Sequence, residues 1–344
     1  MSNKFILLLV TPLLLFSIFS CNNEDNEKYI QITGIAQGST YHVICSLPED
    51  VKAKHIENSI NLTLQTIDNS ISGYNKGSLL SKINDGEDLP LDSIFINVFI
   101  RSKEIWQESN GMFDPSASPL FDLWGFGFKE KDNVTQAKID SILQFVGMDK
   151  VSLSTYADGS THLIKEDSRM SLNFNAIAQG YTCDVISKVL DSIGSLNYLV
   201  EVGREIVCRG ERSQGGKWRV GLDKPIDGNM DEGKYLQEVI NFSDGGIVTS
   251  GNYRKFYIEN GEKYSHTLNP VTGYPVKHNL LSATVLARDG STADAYATWF
   301  MVVGIDQARQ ITKSKEDVDA YLIYGEQDDM KSWCSSGIIL DNKI

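Results

Sequence analysis

Apolar residues recur at helical spacing through Ile56, Ile60, Leu64, Ile67 and Ile71, which predicts an amphipathic helix. The same period predicts helices over Ser93 to Gln107, over Gln136 to Val146 before Gly147-Met148, and over Gly180 to Ile193 before Gly194. Alternation from Ile30 to Ala36 predicts a strand, with Tyr41 to Cys45 as its partner. Leu199 to Val202, Ile206 to Gly210, Trp218 to Leu222 and Ser282 to Leu286 read as further strands. The tail adds a helix near Gln307 to Lys313 and short strands at Ala320 to Tyr324 and Gly337 to Leu340. Strands and helices mix without a regular βαβ rhythm, so the fold class is α+β. No internal repeat and no low-complexity linker is visible after about Lys28.

The first residues follow a different pattern. Lys4 precedes an apolar run from Phe5 to Phe19, broken only by Thr11, Pro12 and Ser17. This reads as a secretory signal peptide, too short to favour a membrane-spanning helix. Ile18-Phe19-Ser20-Cys21 places a small residue before a cysteine and resembles a bacterial lipoprotein lipobox. The product implied is a diacylated Cys21; the alternative is ordinary cleavage near Ser20. The polar stretch Asn22 to Lys28 favours the lipid anchor, because an anchored domain needs a soluble spacer.

Charge then narrows the function. The chain carries a formal net charge of −13, and loss of residues 1–20 removes only Lys4 among the charges. Such acidity excludes nonspecific nucleic-acid binding. An anionic substrate must therefore be held locally, by a metal, backbone N–H groups and a few cations. Cys45, Cys183, Cys208 and Cys334 match no zinc spacing and read as buried small hydrophobes.

Candidate chemistry concentrates between Thr249 and Thr298. Asp294 and Thr298 are four apart, so on a helix both oxygens share one face. A carboxylate beside a hydroxyl suits a hard cation such as Mg²⁺. A plainer reading makes Asp294 a cap at the start of a buried helix through Trp299 to Val303. His266 sits next to the Leu268-Asn269-Pro270-Val271-Thr272-Gly273 turn and is a candidate base, or only a brace for that turn. Gly111 to Gly127 offers aromatic surface around Asp114, suited to walling a planar ring, or else a core-lining loop. Ser171 to Tyr181 reads as a strand running into a helix start, where free N–H groups attract phosphate; the plainer reading caps that helix with Asn175. Gln37 to Tyr41 and Ser72-Gly73-Tyr74 place hydroxyls and an aromatic beside glycine.

In order and spacing these clusters resemble the ApbE family, the flavin transferases that act as FAD:protein FMN transferases. The matching pieces are Gly38 to Tyr41, Ser72 to Asn84, Gly111 to Gly127, Asn175 to Asp184, Val200 to Gly210, Trp218 to Pro225, Thr249 to Tyr253, Ser265 to Pro275 and Ala293 to Thr298. The resemblance implies one large domain of mixed, mostly antiparallel sheets with flanking helices over residues 30–344. A signal peptide at 1–20 and a lipidated tether at 21–29 would precede it, holding the protein on the extracytoplasmic face of a bacterial membrane.

The resemblance also implies Mg²⁺ and FAD, with FAD as substrate and its FMN part moved to a protein Thr or Ser hydroxyl as AMP leaves. The implied acceptors are flavoprotein subunits of membrane redox complexes of the Nqr/Rnf type. The metal ligands correspond to the carbonyl of Ala176, Asp294, the carbonyl of Ala297 and the hydroxyl of Thr298. The FAD contacts correspond to Gln37, Tyr74, Met112, Phe113, Asp114, Asn173, Gln179 and Leu268, and Trp124 is a further packing candidate. His266 matches the histidine implicated in activating the acceptor hydroxyl.

Four positions depart from the family pattern. Asn173 and Asn269 stand where aspartate is frequent, Gln179 where lysine or glutamate is, and Gly203-Arg204 replaces a Gly-Gly pair. Arg204 thus adds a cation that either helps hold a pyrophosphate or pairs on the surface. Two other functions fit the same residues. One is a metal-dependent FAD pyrophosphatase giving FMN and AMP. The other is a non-catalytic flavin-binding lipoprotein, against which the pairing of Asp294 with Thr298 argues.

Overall fold

The apolar stripes become helices packed on a sheet. In the computed structural model, which describes residues 28–227, 233–253, 256–259, 261–327 and 329–341, the helix Ala53–Ile71 buries Ile56, Ile60, Leu64, Ile67 and Ile71 along one face. Cys21 and the signal segment lie outside the described residues. Among the described residues, no helix is long and apolar enough to cross a membrane. Asp92 caps the helix Ser93–Glu108 by accepting the Phe95 N–H at 2.8 Å. The helix Ala178–Ile193 stops at Gly194, which adopts the left-handed conformation at φ 91°. The helix Gln136–Leu143 ends earlier than its apolar spacing predicts, since Phe145 and Val146 leave it to enter the core.

Eight strands form the central sheet: Tyr29–Ala36, Ser39–Ser46, Tyr198–Val202, Glu205–Arg209, Gly245–Gly251, Leu280–Ala287, Val318–Glu326 and Asp329–Cys334. They lie side by side in chain order and every neighbouring pair is antiparallel. The class is therefore α+β, with the helices and smaller sheets inserted between strands. Alternation assigns the two faces. Val248, Ala283, Val285, Ala320 and Leu322 enter the main core with Phe95, Val98 and Phe300 of the helices. Ile247, Leu286, Tyr321 and Ile323 point the other way, against Val220, Leu222 and Ile240 of a three-stranded sheet. Each such large apolar side chain contributes roughly 1.5–3 kcal/mol on burial.

This topology contains a repeat that residue patterns did not disclose. Both halves of the sheet run strand, strand, helical insertion, strand, strand. The insertions contain the helices Ala178–Ile193 and Gly290–Val303, whose first turns carry the same G-x-T-x-D pattern: Gly180-Tyr181-Thr182-Cys183-Asp184 and Gly290-Ser291-Thr292-Ala293-Asp294. The helices touch at the two glycines. A Cβ on Gly180 would lie 2.2 Å from the Gly290 carbonyl oxygen, and one on Gly290 would lie 2.6 Å from that of Gly180. Asp184 accepts the N–H groups of Gly290 at 2.6 Å and Ser291 at 2.9 Å. Asp294 accepts the Gly180 N–H at 3.1 Å. Each helix therefore supplies a carboxylate to the other's positive end.

These bonds revise two readings. Asp294 does not start its own helix; Asp289 does, accepting the Thr292 N–H at 2.7 Å. Asn175 does not cap the following helix, which begins at Ala178 with no side-chain cap from its own N-terminal residue. Burial of Phe174 and Ile177 pulls that segment inward, and Asp294 satisfies the Gly180 donor from across the interface.

Candidate active site

The helix Gly290–Val303 is buried at every position except Thr298 and Val303. That placement carries Asp294 deep into the molecule and turns Thr298, one turn later, toward a cavity of about 620 Å³. Asp294, Thr298, Met301 and Val302 line one side of it. The segment before the helix Ala178–Ile193 supplies Asn173, Asn175, Ala176 and Gln179, and the Gly111 region supplies Met112, Phe113 and Asp114. Thr249, Ser250 and Gly251 come from the central sheet, and His266, Thr267 and Leu268 from the long connection that follows. Several separate stretches of chain thus meet in one place.

Burial pushes the Asp294 carboxyl up to about 7, with the Gly180 N–H opposing and the Asp184 charge adding to the rise. Burial likewise lifts Glu205, another lining residue, well above the usual carboxylate range, and the charge on Asp294 lifts it further. The Glu205 Oε2 atom is buried without a hydrogen-bond partner. The Arg204 charge offsets only part of this rise, so the two buried carboxyls remain short of compensating positive charge. A hard cation fits this donor set of carboxylate, hydroxyl and carbonyl oxygens. The Thr298 hydroxyl lies 3.5 Å from that of Ser250, and Ala176 is on the lining. Ala297 is fully buried and off the lining, one residue before Thr298. Among the described residues no three His, Cys, Asp or Glu side chains gather around a point, so any cation here would lean on neutral oxygens as well.

Asp114 holds the first turn after Phe113. Its carboxylate accepts from the Ser116 N–H at 2.8 Å, the Ser116 hydroxyl at 2.6 Å and the Trp106 indole at 3.1 Å. Burial nevertheless raises it to about 6. Asn173 accepts the Asn175 N–H at 2.9 Å, which tightens the turn that exposes Ala176. Tyr74 stands 62% exposed at the mouth, where a ligand ring could cover it. Its hydroxyl accepts from the Asn175 amide at 3.1 Å and its ring meets Phe128 edge-on at 5.1 Å.

Not every candidate reaches the cavity. Gln37 lies off its lining: at φ 51° its amide donates to the Thr182 hydroxyl at 2.6 Å, on the first turns of the Ala178–Ile193 helix. Trp124 is buried behind the wall, stacked near Tyr264 and donating to the Gly273 carbonyl at 2.8 Å. It fixes the turn beyond His266 and takes the core role that its loop also allowed. Asn269 closes that turn by accepting the N–H groups of Val271 at 2.9 Å and Thr272 at 3.1 Å. The turn therefore has its own braces, while the His266 ring faces the cavity and meets Phe126 edge-on at 6.5 Å.

Sequence reasoning missed Glu205, Phe256 and Tyr257, all on the lining. The available signal for Glu205 was the two-residue turn Gly203-Arg204, which pairs Val202 with Glu205 and starts the strand one residue earlier than its apolar run. Phe256 and Tyr257 belong to a hairpin, Phe256–Glu259 with Glu262–Ser265, whose aromatic stacking is long-range: Tyr257 stacks on Phe126 at 5.3 Å.

Comparison with known proteins adds a family context. The model of the ApbE family matches residues 37–322. The FAD:protein FMN transferase of Haemophilus influenzae is 30% identical over 317 residues, covering 89% of each chain. That of Escherichia coli K12 is 30% identical over 289 residues, 83% of this chain and 81% of its own. Among solved structures, the flavin transferase ApbE from Vibrio cholerae superposes with a TM-score of 0.78 at 27% identity, over 90% of this chain and 97% of the other. The apo form of the Pseudomonas stutzeri flavinyl transferase gives 0.79 at 27% identity, over 90% and 95%.

Proposed function

This chain belongs to the ApbE family and is a flavin transferase, and we propose that it moves the FMN part of FAD onto a Thr or Ser hydroxyl of an acceptor protein, with Mg²⁺, releasing AMP. The observation that carries the reading is the convergence of Asp294, Thr298 and His266 on one cavity. Its volume is of the size that small-molecule sites use.

In this reading Met112, Phe113 and Leu268 give apolar contact to the flavin, and Asn173 and Gln179 give hydrogen bonds. Tyr74 covers the open side. Asp294, the Thr298 hydroxyl and the Ala176 carbonyl would hold the cation, with the Ala297 carbonyl, off the lining, added as a ligand by the family resemblance alone. Mg²⁺ held there would supply neutralising charge for the phosphoryl and leaving oxygens. The acceptor oxygen attacks the phosphorus on the FMN side, and the bond from that phosphorus to the bridging oxygen breaks. AMP leaves with the bridging oxygen. His266 takes the hydroxyl proton as the new P–O bond forms.

Incubation of the protein with FAD, Mg²⁺ and a candidate acceptor, followed by intact-mass measurement, tests this. The acceptor is expected to gain the mass of one FMN less water, with AMP formed in equal amount. AMP and free FMN without acceptor modification would favour hydrolysis of FAD. Retention of FAD with no product would favour a binding protein.

The anchor is part of the proposal: lipidated Cys21 holds the domain on the extracytoplasmic face of a membrane, near acceptor subunits of membrane redox complexes. Support comes from the lipobox-like Ser20-Cys21 and the polar spacer after it. Cys21→Ser is expected to shift the protein from the membrane to the soluble fraction, because serine cannot form the lipid thioether. Persistence in washed membranes after high salt would rule Cys21 out as the anchor.

A further inference from the structure

Arg204 occupies a position that its backbone disfavours. Gly203 and Arg204 form the two-residue turn between Tyr198–Val202 and Glu205–Arg209, with φ of 63° and 90°. Two central residues with positive φ define the hairpin turn in which glycine, asparagine or aspartate is favoured. Gly203 meets that demand and also has no room for a side chain, since a Cβ there would lie 1.9 Å from the Gln179 amide nitrogen. Arg204 has the same backbone demand and carries a long charged side chain. Strain of this kind persists where the surroundings enforce it, and it clusters at ligand sites.

The side chain does not simply extend into solvent. Arg204 lines the cavity beside Glu205, and its Nη1 atom is buried. The charge is felt by its neighbours: it holds the Glu205 carboxyl down against burial and against Asp294, and it opposes the burial-driven rise of the Tyr253 hydroxyl. Among the described lining residues, the carboxyl groups belong to Asp114, Glu205 and Asp294, and Arg204 is the one permanently charged cation. A diphosphate brings two further negative charges into that setting. A guanidinium has five N–H donors in a fixed fork, enough to keep protein partners and still bind a phosphate oxygen.

We propose that Arg204 is a specificity-determining residue whose guanidinium binds the diphosphate of the substrate, so that the cavity selects a flavin dinucleotide over an unphosphorylated flavin even before a cation is bound. The proposal rests on FAD being the substrate. It also assigns a reason for the turn strain, because glycine at this position would be easier for the backbone and would lack the cation.

The test uses the full folded domain, titrated with FAD and with riboflavin in EDTA and again with Mg²⁺, together with ligand-free melting. Arg204→Gly is expected to raise the melting temperature by about 2–5 °C, because glycine adopts the positive φ without strain. The same variant should bind FAD about tenfold to a hundredfold more weakly in EDTA, the worth of a charge-assisted hydrogen bond. Its riboflavin affinity should not change. Arg204→Lys should recover part of the FAD affinity without the gain in melting temperature. Equal FAD affinity in Arg204→Gly and the unaltered chain would overturn the proposal. So would parallel losses of FAD affinity, riboflavin affinity and melting temperature, which mark a structural brace. Failure of the unaltered chain to bind FAD under either condition would instead remove the functional reading on which the proposal stands.

Discussion

Asp294→Ala is expected to cost FMN transfer while the protein stays folded, with turnover in FAD and Mg²⁺ falling about a thousandfold or more. Asp294 is the only charged group in the proposed cation set, and the loss of a catalytic metal's charge stabilisation is worth several kcal/mol. The variant also leaves the Gly180 N–H without its acceptor, which costs about 1 kcal/mol of stability. Asp294→Asn separates the two effects. Its amide oxygen still accepts from Gly180, so the melting temperature should recover while activity stays lost. Mg²⁺-dependent transfer at the original rate in both variants would remove Asp294 from the mechanism.

His266→Asn should slow transfer by about a hundredfold to ten-thousandfold with FAD affinity retained, which is the usual contribution of a positioned base. The defect should shrink at high pH, where hydroxide takes over part of the proton removal. The structure sharpens this expectation, because the turn after His266 is already held by Asn269 and by the Trp124 bond to Gly273. A role limited to bracing that turn predicts weaker FAD binding, a lower melting temperature and no change in the shape of the pH–rate profile. FAD titration, melting and a pH–rate series on the one variant decide between the two.

Local patterns predicted much of the scaffold, because amphipathic stripes and alternation report burial directly. Ile56 to Ile71 and the Ile30 to Ala36 hairpin show this well. The strand Gly245–Gly251 gave no such signal. Its glycines are required by proximity, since a Cβ on Gly246 would lie 2.5 Å from the Asp289 carbonyl oxygen, and that contact joins residues far apart in the chain. The cavity followed the same division. Asp294 and Thr298 share a helix and could be paired by spacing, whereas Glu205 and Tyr257 enter the site through strand pairing and ring stacking that no short window contains. The family resemblance puts Gln37 among the FAD contacts and the aromatic cluster suggests Trp124, but the Gln37 amide donates to Thr182 and the Trp124 indole to Gly273.

The reciprocal caps restrict how this sequence can drift. Gly180, Asp184, Gly290 and Asp294 satisfy one another across a single helix crossing, so a change at one position alters what the other three must do. A methyl group on either glycine separates both N-termini from the carboxylates that neutralise them. Descendants of this chain are therefore expected to keep the four residues together or to replace them as a set. The two aspartates also divide the labour of a duplicated joint: Asp184 is committed to the Gly290 and Ser291 donors, the Ser291 hydroxyl included, while Asp294 accepts from Gly180 and has an open side on the cavity. New chemistry can arise at such a joint by changes around the open copy, because its twin continues to hold the helices in register.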